Sequence, residues 1–214
     1  MKESLKAKKE RADKAIAALK KIYPDAVCSL DSEDPFQLIC AVRLSAQCTD
    51  ARVNLVTPAL FKAYPTAEAM AKASYEDVEK YIHSCGLYKT KAKDLVELSK
   101  ILATEYKGSF PDTMEKLLKL PGVGRKTANL VLGDIFHKPA IVTDTHCIRI
   151  TNRLGLASGK EPYKVELQLM KVLDPSESNN FCHRLVLFGR DICSARSPKC
   201  ESCPLSEFCP KEKY

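Results

Sequence analysis

Three observations predict an all-α protein of about ten helices joined by short loops. Apolar residues recur at helical spacing almost throughout the chain, helix start signals are frequent, and alternating β-branched runs between hairpin turns are missing. The 214 residues make one domain or two small ones, long enough to bury a sizeable core. Apolar residues at 45% and charged residues at 29% exclude disorder of the whole chain.

The elements follow in order. A lysine-rich first helix carries Ala12, Ile16, Leu19 and Ile22 as its apolar stripe. Ser74, with Asp77 three residues on, opens a helix over 75–81. Leu95, Leu98 and Leu102, flanked by Ala92, Val96 and Ala103, predict a helix over about 89–106. Pro111-Asp112-Thr113 opens a short helix over 114–120, and Glu161-Pro162 opens a segment over 162–173.

No window approaches the roughly 18–20 uncharged apolar residues of a membrane helix, so an integral membrane protein is excluded. The first fifteen residues are basic but include Glu3, Glu10 and Asp13, which fits neither a secretory signal nor an acid-poor transit peptide. A cytoplasmic location is the expectation. Lys and Arg number 34 against 27 Asp and Glu, a net charge of +7 that admits a polyanionic partner. On charge alone, a solvated basic surface explains it equally well.

The ten cysteines are unevenly placed. Cys28, Cys40, Cys48, Cys85, Cys147 and Cys182 are scattered, whereas Cys193, Cys200, Cys203 and Cys209 fall within seventeen residues. A secreted disulfide scaffold would be shorter and would carry a signal peptide, so reduced thiols and one metal site are expected. The spacing C-x6-C-x2-C-x5-C supplies four thiolates, enough for a 4Fe–4S cluster or a tetrahedral zinc. Zinc sites more often pair two C-x2-C knuckles, and only Cys200 to Cys203 forms one here, which favours the cluster.

The most informative stretch runs Leu118-Lys119-Leu120-Pro121-Gly122-Val123-Gly124-Arg125-Lys126-Thr127-Ala128. A short helix ends at Leu120, Pro121 and Gly122 break it, Gly124 permits a positive φ, and a new helix begins near Arg125. The turn therefore sits just before a helix N-terminus, where bare N–H groups and the dipole favour a phosphate. A nucleotide-binding P-loop would need a longer glycine loop after a strand and Gly directly before Lys. A plain helix–turn–helix corner is the structural alternative.

Lys126 stands in the first turn of the second helix, where the dipole disfavours an ammonium and partial burial would add to that. A neutral amine there can attack a sugar C1′ and form a Schiff base. A phosphate-contacting cation is the alternative, and position alone does not separate the two. Asp144 precedes an apolar pattern, so an N-cap is its commonest job, while the functional reading is a carboxylate facing a developing positive charge. One residue can do both.

Hairpin, Asp144 and cysteine spacing in this order resemble the endonuclease III family of helix–hairpin–helix DNA glycosylases and AP lyases, from about Pro35 to Cys209. The resemblance implies a six-helix barrel domain over 28–138. It also implies an iron–sulfur cluster domain built from 1–27 plus 139–214, with the active site in a cleft between the two. It assigns Lys126 as nucleophile, Asp144 as catalytic carboxylate, and Cys193, Cys200, Cys203 and Cys209 as ligands of a 4Fe–4S cluster. Gln47, within Leu44-Ser45-Ala46-Gln47-Cys48-Thr49-Asp50, would fill the gap left by a flipped nucleotide, and Leu87, within Gly86-Leu87-Tyr88, would push into the stack. Gly122, Gly124 and Arg125 would hold phosphate. Arg43, Cys48, Thr143 and Phe188 depart from the family pattern, which bears on lesion preference rather than on the chemistry.

The function implied is base excision: removal of oxidised pyrimidines from double-stranded DNA and β-elimination 3′ to the abasic site through a lysine Schiff base. A monomer is expected. One rival is a monofunctional mismatch glycosylase, whose relatives lack a lysine at position 126 and carry an extra C-terminal domain. The other is a non-catalytic helix–hairpin–helix module, which would not need Lys126 and Asp144 together.

Overall fold

The computed structural model describes residues 3–107 and 109–211. Among them are eleven α-helices and no strand. In chain order they are α1 (Leu5–Ile22), α2 (Pro35–Ser45), α3 (Asp50–Ala63), α4 (Ala67–Met70), α5 (Tyr75–Ile82), α6 (Tyr88–Glu105), α7 (Met114–Leu117), α8 (Arg125–Asp134), α9 (Thr145–Arg153), α10 (Pro162–Leu169) and α11 (Ser178–Asp191). The chain divides into two compact units: one runs Cys28–Phe136, and the other joins the segment ending at Val27 to the segment beginning at His137.

In the Cys28–Phe136 unit, α2 is the element around which the others gather. Asp34 caps it by accepting the Gln37 N–H at 2.8 Å, and Pro35 takes the first helical position, where no N–H is needed. Phe36, Leu38, Ile39, Cys40, Ala41, Val42 and Leu44 are all buried, so α2 is apolar on nearly every face and packs against α3, α6 and α8. Ser74 starts α5 by accepting the Asp77 N–H at 3.1 Å while donating its own hydroxyl to the Asp77 carboxylate at 2.7 Å. Helix α6 packs against α2, α4 and α5, burying Ala92, Leu95, Val96, Leu98 and Leu102. Truncating Leu98 to Ala would cost about 2–5 kcal/mol.

In the other unit, α11 packs against both α1 and α9. Ala12, Ile16 and Leu19 are buried on α1, but Ile22 is 40% exposed. The helix ends there: Tyr23 N–H closes onto the Leu19 carbonyl at 2.8 Å, and the Tyr23 carbonyl is held by Arg184 Nε at 3.1 Å. Glu161 starts α10 by accepting the N–H groups of Tyr163 and Lys164 at 3.0 and 3.1 Å.

Two helices are shorter than the apolar pattern predicts. Helix α7 stops at Leu117 and α10 at Leu169, yet Leu120, Val172 and Leu173 are still buried. Turns continue the apolar face after regular hydrogen bonding has stopped, so periodicity alone overran both ends.

Candidate functional site

The stretch after α7 forms the tight turn that its glycines demand. Leu120 N–H bonds to the Leu117 carbonyl and Val123 N–H to the Leu120 carbonyl, both at 3.1 Å. The left-handed residue is Gly122, at φ +71°; Gly124 lies at φ −94°, ψ 177°, extended backbone that any residue adopts. The positive φ therefore falls at the first of the two glycines, not at Gly124 as the sequence suggested. Gly124 instead serves as the N-cap of α8 without a side chain, its carbonyl accepting the Ala128 N–H at 2.9 Å. A cap without a side chain leaves the N–H groups at the start of α8 open to an anion.

A second reason for glycine at 122 is lack of room. A Cβ there would stand 2.5 Å from Arg43 Nε and 2.9 Å from Asp94 Oδ2. These two are paired, with Arg43 Nε donating to Asp94 Oδ2 at 2.7 Å and Nη2 lying 2.6 Å from the same oxygen. The hairpin thus rests on an ion pair between α2 and α6.

Lys126 is the second residue of α8, and its side chain is exposed rather than partly buried. The hydrophobic positions that follow, Ala128, Leu130, Val131 and Leu132, are buried, so the helix is anchored while its first turn faces solvent. Arg125 is half-buried and has partners of its own.

Gln47 and Leu87 share an unusual backbone. Both are exposed non-glycine residues in the left-handed region, at φ +54° and +59°. Such residues cost about 1–2 kcal/mol each, a cost that surrounding structure must offset. Gly86 explains how their turns come together, because a Cβ on it would lie 3.3 Å from the Gln47 carbonyl oxygen.

Asp144 is the N-cap of α9, its Oδ1 accepting the Cys147 N–H at 2.7 Å. The residue is half-buried and the cap engages Oδ1 alone. Capping is thereby observed, and it leaves the second oxygen for other work.

The C-terminal cysteines ring one cavity of about 160 Å³, floored by Ile150, Leu154, Phe188, Ile192 and Leu205. All four are free thiols and half-buried. Burial raises the Cys203 and Cys209 thiols above their ordinary value, and the charges of the neighbouring cysteines add to it. Among the described residues no three His, Cys, Asp or Glu side chains converge closely enough for a single metal ion. Four cysteine sulfurs around one cavity supply the ligand set of a 4Fe–4S cluster.

Residues 192–211 contain no helix, and arginines from α9 hold the strand-free loop in place. Arg153 donates to Cys193 Sγ at 3.3 Å, to the Ser194 carbonyl at 2.7 Å and to the Ala195 carbonyl at 2.9 Å. Arg149 reaches the Cys193 carbonyl at 2.9 Å.

Two buried cations, Lys91 and Arg149, were not legible in the sequence. Lys91 is completely buried, its Nζ donating to the Leu44 carbonyl at 2.8 Å. Its signal was its phase, since Lys91 falls on the same helical face as Leu95, Leu98 and Leu102. Arg149 is buried between apolar neighbours, and nothing in the local pattern marked it.

Comparison with known proteins places these features together. Residues 40–175 match the HhH-GPD superfamily base excision DNA repair proteins, and residues 193–209 match the iron-sulfur binding domain of endonuclease III. The chain is 46% identical over 205 residues to endonuclease III of Synechocystis sp., covering 95% of this chain and 94% of that protein. It is 42% identical over 200 residues to endonuclease III of Escherichia coli K12, covering 92% and 94%. Among solved structures, a trapped endonuclease III–DNA covalent intermediate superposes with a TM-score of 0.88 at 43% identity, covering 95% of this chain and 96% of that one. A thermostable thymine-DNA glycosylase superposes at 0.82 and 26% identity, covering 96% of both.

Proposed function

Since the chain belongs to the endonuclease III family, the DNA glycosylases and AP lyases of base excision repair, we propose that Lys126 is its nucleophile and Asp144 its catalytic carboxylate. The chain is an enzyme of that class, and it carries a 4Fe–4S cluster. The observation that carries the residue assignment is the exposed amine of Lys126 on the first turn of α8, directly after the glycine turn. The similar structure trapped as a covalent intermediate with DNA supports a nucleophile of this kind.

Each part of the chain then has a task. Backbone N–H groups at Gly122, Gly124 and Arg125 take phosphates, which positions the duplex without reading its sequence. Gln47 and Leu87 occupy the space and the stack left by an extruded nucleotide, with substrate choice falling on damaged pyrimidines that stack or pair poorly. The Lys126 amine attacks C1′, and the base leaves with the electron pair of the glycosidic bond. One amine proton passes to the departing base and the other to O4′ as the C1′–O4′ bond breaks, which opens the sugar ring and gives an imine. Removal of a C2′ proton then expels the 3′ phosphate by β-elimination. Asp144 places its negative charge against the cation that develops at the sugar.

The cluster, when bound to Cys193, Cys200, Cys203 and Cys209, supplies a cross-link and fixed charge to the loop 192–211. The barrel domain is assigned to 28–138 and the cluster domain to 1–27 plus 139–214. The protein acts as a monomer in the cytoplasm on double-stranded DNA containing damaged bases or abasic sites. No helix among the described residues is long and apolar enough to cross a membrane.

Borohydride reduction in the presence of an abasic duplex is the direct test. The wild type is expected to become covalently attached to DNA and Lys126→Gln to stay free. Equal trapping of both proteins would remove Lys126 from the role.

A further inference from the structure

Six cysteines lie outside the cluster, and two of them sit between the turns that carry Gln47 and Leu87. Cys48 directly follows Gln47, and Cys85 directly precedes Gly86-Leu87. The two turns touch, since a Cβ on Gly86 would come within 3.3 Å of the Gln47 carbonyl. Both thiols are free, Cys48 half-exposed and Cys85 fully buried, and the Cys48 side chain is within hydrogen-bonding reach of Cys85.

A cation lies beneath the pair. Lys91 is buried with the Leu44 carbonyl as acceptor; burial lowers it below the ordinary lysine value and Arg43 adds to that, while the charges of Cys48 and Cys85 oppose the shift. Burial and the Cys48 thiol push Cys85 up to about 11, whereas Lys91 and Arg52 draw it down. An accessible thiol and a buried one are thus carried on two touching turns, the arrangement an attacking and a resolving thiol need.

The remaining cysteines lack this combination. Cys147 and Cys182 also face one another, but both are buried, with no path for an oxidant. The four C-terminal thiols are committed to the cluster.

We propose that Cys48 and Cys85 are an oxidisable dithiol that hydrogen peroxide closes to a disulfide, and that closure withdraws the Gln47 and Leu87 turns from their DNA-gripping geometry. The Cys48 thiolate attacks peroxide, the O–O bond breaks, and hydroxide leaves as water with the thiol's proton. Cys48 is then a sulfenic acid. The Cys85 sulfur displaces its hydroxyl, which departs as a second water with the Cys85 proton. Two thiols lose two electrons in all, and one peroxide becomes two waters. A disulfide holds its sulfurs at about 2.05 Å, far closer than two thiols in contact, so closure pulls on both turns. The second half of the proposal rests on the DNA-contact roles given above to Gln47 and Leu87; the cross-link itself does not.

The holoprotein is exposed briefly to dilute hydrogen peroxide, alkylated, digested and mapped by mass spectrometry. Cluster absorbance is followed in parallel. The expected product is one peptide pair joining Cys48 to Cys85, two hydrogens lighter than the separate peptides and released by dithiothreitol. The oxidised protein should bind a duplex with a stable abasic analogue roughly tenfold more weakly, about 1.4 kcal/mol, and recover on reduction. Cys48→Ala, a change on a half-exposed turn, should bind equally before and after peroxide. Sulfinic acid at Cys48 without a cross-link would overturn the site. A cross-link that leaves affinity unchanged would overturn the switch. Loss of the DNA-contact reading itself would show separately, as Gln47→Ala and Leu87→Ala that bind lesion duplexes normally.

Discussion

The guanidinium of Arg43 fills the space that a side chain on Gly122 would need. A Cβ at Gly122 would meet Arg43 Nε at 2.5 Å and Cδ at 2.7 Å, and Arg43 is itself held by Asp94. Backbone conformation and packing therefore require glycine at 122 independently, one through φ +71° and the other through an ion pair from two other helices.

Gly122→Ala should accordingly destabilise the protein by about 1–3 kcal/mol, combining left-handed strain with displacement of Arg43. Denaturant melts read the loss. In an Arg43→Ala background the two shortest contacts vanish, so the penalty for Gly122→Ala should shrink while the approach to Asp94 and the φ strain remain. Strictly additive losses would mean that the two residues do not meet. Gly124→Ala, by contrast, should be mild, because Gly124 has an ordinary φ and nothing within 4 Å of a Cβ.

That contrast shows what was legible in the sequence. The turn, the helix following it and the position of Lys126 followed from Pro121, Gly122 and Gly124, because glycine and proline act locally. That position 122 also lacks room for a side chain depends on Arg43 and Asp94, distant in sequence from the turn, and no local pattern carries that. Caps behaved like turns: Ser74, Thr113 and Glu161 were readable because a capping bond spans three residues or fewer. Ile22 and Lys91 were misread or missed for the opposite reason. Whether a position in an apolar phase is buried, or a lysine in that phase finds a carbonyl to donate to, is decided by another helix. Gln47 and Leu87 were found through resemblance alone, and their left-handed backbones emerged only in the structure.

DNA binding should weaken steeply with salt. A chain of net charge +7 that grips several phosphates releases counterions on binding. The slope of log K against log salt should be about −3 to −6, from roughly 0.9 per phosphate neutralised. Fluorescence anisotropy across a salt series measures it. A slope near zero would make the basic residues a solvated surface only.

The purified protein should contain about four irons per chain and little zinc, by the ligand count of one cubane cluster. Cys200→Ala should lose most of the iron and the cluster absorbance. Loop 192–211 would then keep only the Arg149 and Arg153 hydrogen bonds, its own turns and buried Leu205 as anchors, so proteolysis should begin there, ahead of the helices. Stoichiometric zinc with no iron after anaerobic purification would contradict the assignment.

The sharpest prediction separates Lys126 from Asp144. Lys126 is exposed, so Lys126→Gln removes the amine without opening a cavity, and stability should change by less than about 0.5 kcal/mol. Imine trapping and strand cleavage should disappear, while abasic DNA still binds through the backbone amides at Gly122, Gly124 and Arg125. On the proposed reading Asp144 carries two tasks, and only one of them needs charge. Its capping bond to the Cys147 N–H at 2.7 Å can be made by an asparagine carbonyl, since Asn caps about as well as Asp. Asp144→Asn should therefore melt within about 1 kcal/mol of wild type, whereas Asp144→Ala should lose about 1–2 kcal/mol with the cap. Both should slow base excision by about 10²–10³-fold, the scale of one missing electrostatic group in a transition state. On a preformed abasic site no base has to leave, so Asp144→Asn should keep more lyase than glycosylase activity. Single-turnover assays on a damaged and an abasic duplex, beside thermal melts, separate the two tasks. If Asp144→Asn unfolds the protein while its folded fraction excises bases at the wild-type rate, the residue is a cap and nothing more.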